Sequence, residues 1–199
     1  MKKYLLILVS LYGFLFTQLT AESASTQMYA NEIVIDDTKQ YAFGGLTGSY
    51  LNLIPTLPVY DGTGDLYLNP SEWTGFLGVR AGMQTNVWRT MFTYESNFDT
   101  YHAFMVEADR TILAGMMGGK GRIYLGVSGG WIGHYGDKLQ DGIIVEFKDY
   151  GYAFGGNAGF MFYLSDRVDL SIDYRYLFTS SSCTLDDIHG PTISLHYFF

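Results

Sequence analysis

In Val168-Asp169-Leu170-Ser171-Ile172-Asp173-Tyr174-Arg175-Tyr176 every second residue is apolar and every intervening one is polar. A period of two sends successive side chains to opposite faces, so the stretch predicts a strand between two unlike surroundings. Read this way, the chain offers eight strands: Tyr41–Leu53, Trp73–Met83, Val87–Phe98, His102–Ile112, Arg122–Ile132, Tyr150–Leu164, Val168–Ser180 and Pro191–Phe199. At roughly 9 to 15 residues they are longer than most globular strands and suit tilted strands that cross a bilayer. The connections tend to alternate in length. Ile54–Glu72 and Gly133–Asp149 are long and Ser181–Gly190 is moderate, whereas Gln84–Asn86 and Ser165–Arg167 are tight. Leu113–Gly121 is intermediate, and Asp99–Tyr101 is a short loop on the long-loop side. Long loops at one end and short turns at the other are the habit of an up-and-down transmembrane barrel.

The two faces are chemically distinct. One carries residues such as Trp73, Leu77, Val79, Phe92, Phe104, Val106, Leu125, Phe154, Ile172 and Tyr174. The other carries Arg80, Arg89, Glu95, Glu107, Asp109, Arg122, Asp169, Asp173, Arg175 and His196. A soluble sandwich would turn the charged face to water, and a barrel in lipid turns it to the lumen. Two observations favour the lumen. Aromatic residues gather at strand ends, as interfacial girdles do, with Tyr50, Trp73, Phe98, Trp131, Tyr150 and Phe178 toward the long loops and Trp88, Phe162, Tyr197 and Phe199 toward the turns. The charged set is also nearly balanced, its carboxylates facing four arginines, and confined charges must be paired whereas solvated ones need not be.

Met1-Lys2-Lys3 followed by an apolar run to Phe16 and small residues at Ala21, Ser23 and Ala24 reads as a secretory signal peptide. It is assigned to residues 1–21, with cleavage as late as 24. Residues 25–40, containing Glu32-Ile-Val-Ile-Asp36, are expected to form a periplasmic extension, and residues 41–199 the barrel. No cysteine stands near the leader, so a lipoprotein anchor is excluded. The net charge of −8 removes the electrostatic basis for binding nucleic acid. Cys183, the single cysteine, rules out an intrachain disulfide and a cysteine zinc site.

The last segment, Pro191-Thr-Ile193-Ser-Leu195-His-Tyr197-Phe-Phe199, is apolar at alternate positions and closes on a carboxy-terminal Phe. With Leu170-Ser-Ile-Asp-Tyr-Arg-Tyr176 before it and Tyr41-Ala-Phe-Gly-Gly-Leu-Thr-Gly-Ser-Tyr50 at the start, the chain resembles the OmpA- and OmpX-like small eight-stranded outer-membrane β-barrels over about Tyr41 to Phe199. The resemblance implies an assembly signal at Ile193, Leu195, Tyr197 and Phe199, read by the barrel-assembly machinery. OmpA-type proteins continue into a peptidoglycan-binding domain, so an ending at Phe199 resembles the barrel-only members. The expected fold is therefore an all-β, eight-stranded antiparallel transmembrane barrel in the outer membrane of a Gram-negative bacterium, a monomer surrounded by lipid and lipopolysaccharide.

Candidate chemistry is sparse. His102, His134 and His189 fall on the long-loop side, where a histidine beside Ser and a carboxylate could make a hydrolase. Some barrels resembling this one are lipid A deacylases with a His one residue removed from Ser, whereas His134 is followed by Tyr135-Gly136. His189 with Asp186 and Asp187 has ligand chemistry for a metal, although a solvated polar loop explains it as well. Asp61-Gly-Thr-Gly-Asp65 has the look of a calcium loop with Glu72 at its twelfth position, but Leu66 stands where the sharp turn requires Gly. Ala114-Gly-Met-Met-Gly-Gly-Lys-Gly121 lacks the first Gly and the Ser or Thr of a phosphate loop, and a strand follows it. No cofactor or metal is expected. An eight-stranded lumen is just filled by side chains, which rules out a general porin. The expected role is non-enzymatic, in envelope structure or in contact with a host or surface ligand through Ile54–Glu72, Gly133–Asp149 and Ser181–Gly190. The alternatives are a narrow channel and, further back, a lipid A-modifying enzyme.

Overall fold

The computed structural model describes residues 40–55, 58–60, 66–68, 72–140, 143–180 and 185–199. The signal peptide, the 25–39 part of the extension, the Asp61–Asp65 segment and Cys183 lie outside the described residues. The strands are β1 (Tyr41–Pro55), β2 (Pro58–Tyr60), β3 (Leu66–Leu68), β4 (Glu72–Gln84) and β5 (Trp88–Ser96), then β6 (Tyr101–Met116), β7 (Gly121–Gln140), β8 (Ile143–Ser165), β9 (Val168–Thr179) and β10 (Leu185–Phe198). Eight of them close an antiparallel barrel in the order β1-β10-β9-β8-β7-β6-β5-β4, so each lies beside its chain neighbour in the barrel. The seam joins β1 to β10 through rungs from Phe43↔Phe198 to Pro55↔Leu185. The short strands β2 and β3 pair with each other, between β1 and β4 in sequence.

Alternation drives the closure. Along β9 the burial alternates residue by residue, with Asp169, Ser171, Asp173, Arg175 and Leu177 buried and Ile172, Tyr174, Tyr176 and Phe178 exposed. Closure leaves no free edge along the wall, so every backbone group of the ladder finds its partner within the barrel. At the turn end Thr85 organises the β4–β5 reversal, its Oγ1 accepting from Trp88 N at 2.9 Å. The β6–β7 reversal runs through Met117 and Gly118, both at positive φ, 52° and 72°. The segment weighed as a phosphate loop is therefore strand as far as Met116 and then a tight turn.

Two expected loops are corrected. Gly133–Asp149 is not an open loop, because the β7–β8 ladder runs on through Tyr135↔Lys148 to Gln140↔Ile143. The ladders to the flanking strands stop sooner, at Tyr101↔His134 on one side and Ala153↔Thr179 on the other. The hairpin thus continues about 20 Å past its last rung to β6, six residues at the usual strand rise. Ser181–Gly190 is also shorter than expected, since β10 begins at Leu185. Gly190-Pro191 reads as a turn, yet it lies in the strand, and glycine is needed there because a Cβ would collide with the Tyr50 carbonyl oxygen.

Candidate functional site

Inside the barrel, the charged side chains occupy the middle level. Arg80, Arg89, Glu95, Glu107, Asp109, Arg122, Asp169, Asp173, Arg175 and His196 are all buried. Most join one network. Arg175 donates to Glu95 Oε1 at 2.9 Å and to Glu107 Oε1 at 3.3 Å. Ser49 Oγ donates to Glu95 Oε2 at 3.3 Å, and the Thr93 hydroxyl donates to Glu107. Arg80 stands between Glu107 and Asp173, 3.7 Å from each. Asp173 also accepts from Tyr124 Oη at 3.0 Å. Arg89 lies over the Tyr124 ring, 4.6 Å from its centroid, and holds Asp109 Oδ2 through Nε at 2.9 Å and Nη2 at 2.6 Å. Asn157 supplies the second oxygen of Asp109 with a donor at 3.0 Å. Gly126 makes room for this corner, because a Cβ there would strike the Asp109 and Asn157 side-chain oxygens.

Two expected members stand apart. Arg122 points to the turn end, donates to the Asn86 carbonyl at 2.9 Å and covers the Tyr163 ring at 5.0 Å. Asp169 pairs with His196, whose Nδ1 lies 2.7 Å from Asp169 Oδ1. Pairing of this kind is what a desolvated interior demands, since an ion taken from water costs several kcal/mol unless a counter-charge and hydrogen bonds meet it.

The expectation of a polar lumen is corrected at both ends. Toward the loops, Leu51, Leu53, Phe76, Tyr101, Met105, Ile132, Leu177, Leu185 and Ile188 form a buried apolar layer. Toward the turns, Phe43, Met91, Tyr124, Met161, Tyr163 and Phe198 form another. The charged level lies between two side-chain plugs. Sequence reading missed these layers because apolar residues on the inward register interrupt the alternation instead of extending it. The signal was present in Leu51-Asn52-Leu53, where the polar residue takes the outward register.

The histidines weighed for chemistry do not gather. His102 Nδ1 lies 2.9 Å from Tyr94 Oη on the outer wall. His189 belongs to β10, with Nδ1 2.6 Å from Tyr174 Oη and its ring stacked on Tyr176 at 5.4 Å. Asp187 accepts from Tyr176 Oη at 2.8 Å, so two of the three residues weighed as a metal site, His189 and Asp187, are engaged by girdle tyrosines. Among the described residues no three His, Cys, Asp or Glu side chains come together to hold a metal. Of the residues of the last strand, Ile193, Leu195, Tyr197 and Phe199 all face outward, and Phe199 N donates to the Ala42 carbonyl at 3.0 Å.

The fold is that of the small eight-stranded outer-membrane β-barrels. Two solved structures carry the likeness: neisserial surface protein A, at 13% identity over 79% of this chain and 97% of that one with a TM-score of 0.53, and outer membrane protein H (OprH) of P. aeruginosa in DHPC micelles, at 22% identity over 80% and 99% with a TM-score of 0.51. No protein-family model matches the chain, and no curated protein matches it in sequence.

Proposed function

We propose that this protein crosses the outer membrane of a Gram-negative bacterium as a monomeric barrel and acts without catalysis, by contact at the cell surface through its loop end. One observation carries the membrane placement. Leu46, Leu77, Phe92, Val106, Leu125, Phe154, Ile172 and Ile193 expose between 45% and 67% of their surface, and they come from all eight walls of the barrel. A continuous apolar belt outside ionic pairs is costly in water and favourable in lipid. Lipid and lipopolysaccharide are then its immediate surroundings, and the outward residues Ile193, Leu195, Tyr197 and Phe199 are the mark by which assembly machinery would take it.

The surface role rests on the β7–β8 hairpin. Beyond Tyr135 and before Tyr152 its two strands have ladder partners only in each other among the described residues. Such a ribbon presents backbone donors and acceptors along its edges, the means by which an extended segment of a host or surface protein adds to a sheet. A channel is disfavoured by the apolar layers that cross the lumen at both ends of the charged level. Trypsin added to intact cells tests the reading. Cleavage at Lys138 with the barrel retained in the outer-membrane fraction is expected, and a chain recovered from any other fraction would overturn it.

A further inference from the structure

The two edges of the β7–β8 hairpin are not equally open. On one side the short strand β2 lies against β7. On the other, the last bonds to β9 fix the direction of the β8 backbone: Ser180 N donates to the Tyr152 carbonyl at 2.8 Å, and Tyr152 N donates to Ser180 Oγ at 3.1 Å. Tyr152 therefore turns its backbone groups away from β7. The β7–β8 ladder runs without a register shift to Gln140↔Ile143, so Tyr150, Lys148, Glu146 and Ile144 turn theirs the same way. Among the described residues no ladder partner meets them.

Glu146 and Lys148 are both exposed and share one face of β8. Within the hairpin Glu146 stands on the rung of Asp137, acid opposite acid, which is unfavourable unless a cation arrives from the open side. A second β8 laid antiparallel along this edge supplies one. The symmetric registers near the middle of the edge set Glu146 opposite Glu146, Lys148 opposite Lys148, or each opposite the other, and registers further out leave both charges unpaired. Only the crossed register joins opposite charges. It also sets Ile144 opposite Tyr150 and puts Phe147 on the two-fold axis.

We infer that the occupant of this edge is a second copy of the chain on a facing cell, the two β8 strands joined antiparallel with Glu146 of each opposite Lys148 of the other. Symmetry requires the facing arrangement. An antiparallel pair of identical strands has its two-fold axis perpendicular to the strands, which turns the loop ends of two barrels toward one another, whereas copies in one membrane present β8 running the same way. Each barrel remains a monomer in its own membrane. Backbone hydrogen bonds supply the attraction, and the charges select the register. The inference rests on the surface reading above, for which it names the partner, and its test separates the two.

The full-length protein is expressed in a Gram-negative strain with short lipopolysaccharide, external trypsin reports whether the hairpin is exposed, and clumping is read from the settling of standing cultures. Wild-type cells should clump. Glu146→Lys and Lys148→Glu each set like charges opposite one another, and each should lower the clumped fraction about fivefold or more. Cells of these two variants, labelled in two colours and mixed, should clump with each other, and the double exchange should clump as the wild type does. Glu146→Pro removes an N–H from the open edge and none from the β7 ladder, so it should abolish clumping with the trypsin pattern unchanged. Exposed hairpins on cells that do not clump, or equal clumping in all variants, overturn the self-pairing while the surface reading stands. Hairpins that external trypsin does not reach overturn the surface reading and the pairing with it.

Discussion

Arg175 Nη1 on β9 donates to Glu95 Oε1 on β5 at 2.9 Å, with both side chains fully buried. In the barrel order four strand steps separate β9 from β5, so the bond spans the lumen between opposite walls. An eight-stranded barrel is narrow enough for two side chains to meet this way. The same guanidinium reaches Glu107 on β6, and the Thr93 hydroxyl on β5 donates to that carboxylate too. One residue therefore braces three walls.

Reversing that brace should be costly. Arg175→Glu would leave Glu95 without its cation and Glu107 with Arg80 alone, and would add a third carboxylate beside them. A broken buried pair costs about 3 to 5 kcal/mol, and the reversal should reach at least that. Urea titration of the barrel in vesicles, followed by tryptophan emission, measures it. Arg175→Met with Glu95→Gln should recover part of the loss, because it removes charge from both sides. If Arg175→Glu unfolds at the wild-type urea concentration, the network carries no stability.

On the opposite face of the same strand the sign of the preference inverts. Ile172 is 51% exposed, between the inward Ser171 and Asp173. Placing Arg there sets a charge against the hydrocarbon, and near the bilayer midplane that costs about 2 to 4 kcal/mol. The same titration reads it. A second readout is a cysteine at Leu170 in a Cys183→Ser background, which should resist a water-soluble maleimide once the barrel is in vesicles. Rapid labelling there together with a harmless Ile172→Arg would mean that water, and not lipid, wets this wall.

How far the sequence discloses this architecture depends on whether two unlike surroundings flank a strand. Where lipid lies on one side and paired charge on the other, as along β9, period two is unmistakable and the strand bounds follow from it. Past the bilayer the contrast ends. Along Tyr135–Gln140 and Ile143–Asp149 only Val145-Glu146-Phe147-Lys148 alternates, so most of the pairing there has no pattern to announce it. The lumen plugs are hidden for the opposite reason. Leu51, Leu53 and Phe76 are apolar on the inward register, where the pattern leads one to expect charge. The cluster around Asn52 is hidden because it depends on register across the seam, Asn52↔His189 on one side and Asn52↔Trp73 on the other. No local motif joins residues so distant in sequence.

Assembly offers a third measurement. Phe199 is 81% exposed, its ring packs edge-on to Tyr197 at 5.5 Å, and its amide closes the last bond to β1. Its deletion removes the end of the outward row Ile193, Leu195, Tyr197 while sparing the lumen. Outer-membrane levels of the truncated chain should fall severalfold in cells, whereas refolding into vesicles in vitro should be nearly normal. Shortening Gly62–Asp65, which lies between β2 and β3 in sequence, should leave both unchanged. Equal cellular levels of the two variants would show that Phe199 is not read during assembly.

Topology is the last prediction, and the surface role depends on it. Phe199 and the β4–β5 turn lie at the same end of the barrel, because Tyr41↔Gln84 and Phe43↔Phe198 both close rungs at the start of β1. The connection from β9 to β10, which contains Cys183, leaves from the other end, beyond Asp187↔Phe178. A chain exported across the inner membrane brings the turn end to the periplasm, so the connection holding Cys183 should face outward. Cys183 is the only thiol in the sequence and serves as its own probe. Intact cells treated with a membrane-impermeant maleimide should label at Cys183, and Cys183→Ser should abolish the signal. Labelling that appears only after the outer membrane is permeabilised would put the loop end in the periplasm. The β7–β8 hairpin would then point toward periplasmic partners, and surface contact would lose its structural basis.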